Sequence, residues 1–157
     1  MFSPEDSKWM MQALELAEET ALNGEVPIGA VIVLNGEKIA AAKNRKEELH
    51  SATAHAEILA INEAGKNVKS WRLDGAILYV SLEPCPMCWC AIKNSRISRV
   101  VFAAKDVRGR GLGTGDKGQE FIIEGGLFEK ESAKLLQKFF RSIRRIKGDS
   151  GIKISTF

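Results

Sequence analysis

The chain has 157 residues, 45% of them hydrophobic, and a formal net charge of +3. That length points to one domain, and that apolar content excludes a chain disordered throughout. No apolar run approaches the roughly 20 residues of a membrane helix, and the acidic start Met1-Phe2-Ser3-Pro4-Glu5-Asp6 has no apolar signal core, so export is not expected.

Ser3-Pro4-Glu5-Asp6 reads as an N-cap, a proline at the first helical position and acids in the first turn. Trp9, Met10, Ala13, Leu16, Ala17 and Ala21 then recur at helical spacing, and Asn23-Gly24 ends the helix. Val26 to Leu34 is a buried strand by its β-branched content. Asn35-Gly36 signals a hairpin, with Glu37 to Lys43 as the returning strand. A polar stretch from Asn44 to Ala52 follows. Ala54 to Ala64 is predicted helical, with Gly65 as its stop. Ala76 to Leu82 is a third strand. Pro86 opens a helix running to about Ser95. Ser98 to Ala104 is a fourth strand. Gly109, Gly111, Gly113, Gly115 and Gly118 mark residues 105–118 as a flexible loop. Phe121-Ile122-Ile123 is a short fifth strand. Glu129 to about Arg145 is an amphipathic helix with Leu135, Leu136, Phe139, Phe140 and Ile143 as its buried stripe.

The order α-β-β-α-β-α-β-α favours an α/β domain of three layers, α/β/α, around a central five-stranded mixed sheet. It occupies residues 1–147, and residues 148–157 are expected to form a flexible C-terminal tail.

Chemistry concentrates in Leu82-Glu83-Pro84-Cys85-Pro86-Met87-Cys88-Trp89-Cys90, which holds all three cysteines of the chain. Such crowding makes no disulfide framework and suits a reducing cytoplasm. Upstream stands Thr53-Ala54-His55-Ala56-Glu57. The two stretches combine as H-x-E and P-C-x-x-C. Zinc binds thiolate and imidazole, and a catalytic zinc keeps three protein ligands and one open position. His55, Cys85 and Cys88 supply three. Cys85 and Cys88 stand at i and i+3 of a helix start, so both sulfurs can face one point, and the helix N-terminus favours thiolate. Glu57 cannot share the direction of His55, but its carboxylate can reach over the metal and move a proton. Zinc lowers the pKa of bound water from 15.7 to about 7.

A structural zinc site would need a fourth ligand, for which Cys90 and His50 are the candidates. Cys90 stands about 200° round the helix from Cys88 and points away; it reads as a small buried hydrophobe. Asn44 by itself reads as a turn residue closing a strand. Trp89 could line a pocket mouth or a dimer interface, with core packing as the default. Arg108, Arg110 and Lys117 could grip phosphate or be merely solvated. Lys134, Lys138, Arg141, Arg144, Arg145 and Lys147 form a basic region that fits a solvated helix end or an RNA footprint.

The paired motif is the known signature of zinc nucleobase deaminases. Glu25 to Ala30, Thr53 to Ile58, Leu78 to Cys88 and Ser95 to Phe102 resemble bacterial tRNA-specific adenosine deaminases of the TadA type, in the cytidine deaminase-like superfamily. The resemblance implies Zn2+ on His55, Cys85 and Cys88, and Glu57 as the proton shuttle. It implies Asn44, Ala56 and Asp106 as substrate-binding residues, with Asn44 on the flipped base and Asp106 near the target nucleotide. The implied reaction is adenosine-to-inosine deamination at the tRNA wobble position by a cytoplasmic homodimer. Where the family carries a longer segment after the fourth strand, this chain has only Lys105 to Gly118. Ser51-Ala52 and Trp89-Cys90 also depart from the family pattern. The shortened loop is similar to that of fungal cytosine deaminase, and guanine deaminases share Pro-Cys-Pro-Met-Cys. A deaminase of a free base is therefore the alternative.

Overall fold

The computed structural model describes residues 1–108 and 121–150. Its elements are α1 (Pro4–Leu22), β1 (Gly29–Leu34), β2 (Glu37–Lys43), α2 (Ala56–Val68), β3 (Ile77–Leu82), α3 (Pro86–Asn94), β4 (Arg99–Ala104), β5 (Ile122–Gly125) and α4 (Glu129–Ser150). The strands form one mixed sheet in the order β2-β1-β3-β4-β5. β1 runs antiparallel to β2 and β3, while β3, β4 and β5 are mutually parallel.

Alternation along the central strands makes the layers. Ala30, Ile32, Leu78, Val80, Val100 and Phe102 pack with Ala56, Ala60 and Ala64 of α2 and with Trp89 and Ile92 of α3. Val31, Val33, Tyr79, Val101 and Ala103 turn the other way, toward Trp9, Met10 and Ala13 of α1. A strand covered on both faces must be apolar at every position, hence the unbroken runs in the sequence. α4 packs on β4 and touches α1, and the Ser132 hydroxyl donates to the Ser81 carbonyl. α1 lies so close to β1 that a methyl group at Gly29 would overlap the Ala13 carbonyl oxygen. The hairpin turn has positive φ at both Asn35 (51°) and Gly36 (78°), as a type I′ turn requires.

Several boundaries differ from the sequence expectation. β1 begins at Gly29 because the chain just before it is spent on a local turn, Ile28 N–H to the Val26 carbonyl, and Pro27 has no N–H to give. α2 passes through Gly65 to Val68 and ends on Lys69 in the left-handed conformation. Gly65 serves the end of that helix differently: its carbonyl accepts from Lys69 and Ser70 N–H. β5 is Ile122–Gly125, not 121–123, and α4 continues to Ser150, past Arg145 and into the segment expected to be a tail. The glycine-rich residues 109–118, with Arg110 and Lys117, lie outside the described residues, as do residues 151–157.

The start of α1 does more than cap a helix. Ser3 and Asp6 form a reciprocal capping box. The Asp6 carboxylate, 5% exposed, also accepts from the Tyr79 hydroxyl (2.8 Å) and from Arg99 Nη1 (2.7 Å). Arg99 donates in turn to Glu124 Oε2 at 2.6 Å. One carboxylate thereby ties α1 to β3, β4 and β5. Burial by itself would raise the Asp6 carboxyl. The hydrogen bonds from Arg99, Ser3 N–H and Tyr79 outweigh it and hold the group well below the usual carboxylate range. Its contribution is complete above the unfolded-state value of about 4 and drains away as the pH falls below that. Asp6→Ala is expected to cost about 2 kcal/mol at pH 7, because a half-buried guanidinium loses its partner. Urea unfolding at pH 7 and pH 3 checks this: the gap between wild type and variant should narrow at pH 3.

Candidate metal centre

The parallel strands β3 and β4 end side by side, with Leu82 paired to Ala104. Open α/β sheets bind ligands beyond the carboxyl ends of such strands. The chain leaving β3 turns at once into α3, with Cys85 as its N-cap and Pro86 at its first position. His55 is the N-cap of α2. Neither residue uses its side chain to cap its helix. Both side chains turn instead toward a common point. His55 Nδ1 lies 3.6 Å from Cys85 Sγ and 3.5 Å from Cys88 Sγ. The three donor atoms all lie within 4.8 Å of one another.

Those distances test the metal directly. A tetrahedral zinc with Zn–S about 2.3 Å and Zn–N about 2.0–2.1 Å holds such atoms roughly 3.5–3.6 Å apart. One imidazole and two sulfurs, partly buried, are also a donor set that zinc prefers. The charge pattern agrees. The Cys85 thiol is brought down to about 4, chiefly by its hydrogen bond with Cys88 and further by the one with His55. The Cys88 thiol is pushed strongly up by Cys85 and by burial. His55 is raised, first by its hydrogen bond with Cys85. Two sulfurs this close cannot both ionise without a cation between them, and a divalent ion supplies that charge.

Among the described residues the cluster contains these three donors and no fourth. Cys90 is exposed, so it is neither a ligand nor the buried hydrophobe expected of it. The reason is helical: two positions on from the buried Cys88, it faces the opposite side of α3. His50 stands exposed in the loop before α2. A four-coordinate metal held by these three would have one position left for water or substrate. Trp89 packs in the core, 4% exposed, and stacks on Phe121 with ring centroids 6.0 Å apart.

Glu57 lies in the first turn of α2, only 3% exposed. Its Oε2 is buried without a hydrogen-bond partner. Burial is the main cause that pushes this carboxyl up to about 7. A dication held next to it favours the ionised form again, which is the form that accepts a proton. Such an orphaned buried oxygen costs stability and is explained by a group that belongs beside it.

The other expected residues have defined partners. Asn44 is 5% exposed, and its Oδ1 accepts the Ala56 N–H at 2.9 Å. It does for α2 the capping that His55 does not. The Asn44 amide is thereby oriented, with its nitrogen as the group left to donate. Ala56 is fully buried with its N–H engaged, so what it gives the site is the placing of His55 and Glu57 on either side of it. Asp106 is 8% exposed, at the start of the loop after β4. Its N–H donates to Glu83 Oε2 at 3.1 Å, and its side chain accepts from Arg108. Sequence reasoning missed Glu83 as its anchor; the one available signal was its position just before Pro84-Cys85.

Comparison with known proteins fixes the class. The model of the cytidine and deoxycytidylate deaminase zinc-binding region matches residues 3–104. The chain belongs to that family, and its cofactor is zinc. Within the family it is 43% identical to the tRNA-specific adenosine deaminase of Bacillus subtilis (strain 168), over 91% of this chain and 93% of that protein. It is also 43% identical to the tRNA-specific adenosine deaminase of Agrobacterium fabrum, over 89% of this chain and 97% of that one. A structure solved in work on A-to-I editing by tRNA:A34 deaminases superposes with a TM-score of 0.77 at 42% identity, covering 82% of this chain and 99% of that chain. The guanine deaminase of Nitrosomonas europaea superposes with a TM-score of 0.76 at 26% identity, covering 88% and 85%.

Cys88→Ser is expected to leave well under one zinc per purified chain, against one for wild type. Inductively coupled plasma mass spectrometry on both proteins checks it. Full zinc in the variant would remove Cys88 from the ligand set.

Proposed function

We propose that the chain deaminates adenosine to inosine at the wobble position of tRNA. The observation that carries the reaction class is the buried, unpaired Glu57 Oε2 beside the His55, Cys85 and Cys88 cluster. Identity of 42–43% to tRNA-specific relatives along most of the chain supports the substrate.

His55, Cys85 and Cys88 would hold the zinc, which when bound lowers the pKa of a water at its open position to about 7. Glu57 is the proton carrier. Its carboxylate takes a proton from the attacking water and gives it to a ring nitrogen of the base, then takes the remaining proton from the hydroxyl now on the base carbon and passes it to the amine, which leaves as ammonia. The net exchange is one water in and one ammonia out. The buried Asn44 amide nitrogen donates to the base edge and holds the ring in register. The base must leave its stack to reach the site, at a cost of a few kcal/mol that is least in an unpaired loop. The proposal extends to a homodimer working in the cytoplasm, where reducing conditions keep the ligand thiols free. No described helix is long and apolar enough to cross a membrane.

A free-base deaminase is the second reading, favoured by the superposition on guanine deaminase. The identities weigh against it, 26% to that enzyme and 42% to the tRNA-acting structure.

Glu57→Gln is expected to retain one zinc per chain while kcat falls by about 10²–10⁴-fold. Metal analysis and ammonia release on the same preparation check both halves. Incubation with unmodified tRNA should yield inosine at the wobble position, read by nucleoside mass spectrometry. Ammonia from cytosine or guanine, with none from tRNA, would transfer the proposal to the second reading.

A further inference from the structure

Resting on the reading above that Asn44 holds the base, we infer that Glu25 is a positioning residue for Asn44: its buried carboxylate pins the loop that follows Asn44, without touching the substrate. Glu25 is 4% exposed and stands in the short connection between α1 and β1. Its Oε1 accepts the Glu48 N–H at 2.8 Å. The Arg45 guanidinium is turned to the Glu48 carboxylate instead, at 2.7 and 2.9 Å. A carboxylate taken out of water costs stability unless its bonds offset the loss. This one serves a backbone amide of the loop that leads into the metal centre.

That loop begins at Asn44 and ends at His55, and the Arg45 N–H closes its base by donating to the Ala54 carbonyl at 3.1 Å. Asn44 N–H donates to the Ile28 carbonyl, also at 3.1 Å. Residues 25–28 are therefore tied to residues 44–48 twice, through backbone at Ile28 and through the carboxylate at Glu25. The seam borders the metal centre: Gly29, next in the chain, donates its N–H to Ser81 Oγ at 3.1 Å, four residues before Cys85. Glu48 passes the hold along, because its N–H is fixed by Glu25 while its carboxylate grips Arg45, the neighbour of Asn44. The Arg45–Glu48 pair, with side chains 42% and 56% exposed, contributes little by itself. The bond to the buried Glu25 is what fixes the loop. Ala56 N–H orients the Asn44 amide, but where that amide stands relative to His55 depends on the backbone that the seam sets. Catalysis tolerates little error there: a misplacement of about 1 Å from a remote change can cost about 10²-fold in rate.

The test uses full-length, zinc-loaded protein and unmodified tRNA, with zinc content and thermal melting measured on every preparation. Glu25→Met fills the same space without an acceptor, and Glu25→Gln keeps a carbonyl oxygen at the same reach. Glu25→Met should lower kcat about tenfold, with KM within about twofold and one zinc per chain. Glu25→Gln should restore kcat to within about threefold of wild type. In an Asn44→Ala background, Glu25→Met should change kcat by less than about twofold. An equal loss in both backgrounds would show that Glu25 does not act through Asn44 and would overturn the inference. So would an unchanged kcat in Glu25→Met, a loss of zinc from it, or a Glu25→Gln as poor as Glu25→Met. A wild type that leaves tRNA unchanged but releases ammonia from guanine or cytosine would overturn the RNA reading alone, and the same variants assayed on that base then decide the role of Glu25. A wild type that deaminates none of these would overturn the inference together with the reading beneath it.

Discussion

Two helices aim their N-termini at one point, and everything the site does follows from how that convergence is made tolerable. A helix start carries unpaired N–H groups and partial positive charge. The usual remedy is a capping side chain, yet His55 and Cys85 occupy the cap positions of α2 and α3 and cap nothing. Their side chains turn instead toward a common point with Cys88, where a metal could be held. Asn44 satisfies the start of α2 from outside, and Pro86 removes one N–H from the start of α3 by having none. Thiolate is the form of cysteine that a helix start favours, so the same field that needs neutralising prepares the ligand.

Burial completes the arrangement. Ala56, Ala60 and Ala64 are all fully buried and recur every four residues, so α2 lies close against the sheet. That closeness takes Glu57 out of water. A carboxyl in such a place works against stability unless something charged belongs near it. The fold tolerates the cost because its opposite layer is firmly tied. Asp6, Tyr79, Arg99 and Glu124 bind α1 to the parallel strands, away from the chemistry. An unpaired buried carboxyl oxygen at the site and reinforcement elsewhere are complementary parts of one design.

What could be read from residues alone was whatever is local. Ser3-Pro4, Asn35-Gly36 and the alternating apolar strands each carry their structure within a few positions. The zinc set was legible because metal chemistry restricts residue type and spacing so tightly. Asp6 was read as an ordinary first-turn acid, since its partners Tyr79 and Arg99 are distant in sequence and only the topology brings them together. Asn44 was visible as a turn residue and through family resemblance, but its bond to Ala56 depends on where β2 delivers the chain. Gly65 was misread as a stop because a helical glycine and a terminal glycine look alike without their neighbours. Gly29 gave no hint that its missing side chain admits α1.

The outward turn of Cys90 has a practical side. A metal held by Cys85 and Cys88 would occupy their sulfurs and leave the solvent-facing thiol of Cys90, on the same short helix, as the one free to react. A maleimide dye or nitroxide attached there would sit a few residues from the reaction centre without entering it. The protein thus carries its own address for a single spectroscopic reporter, one able to follow metal loading and RNA arrival in real time without any engineered cysteine.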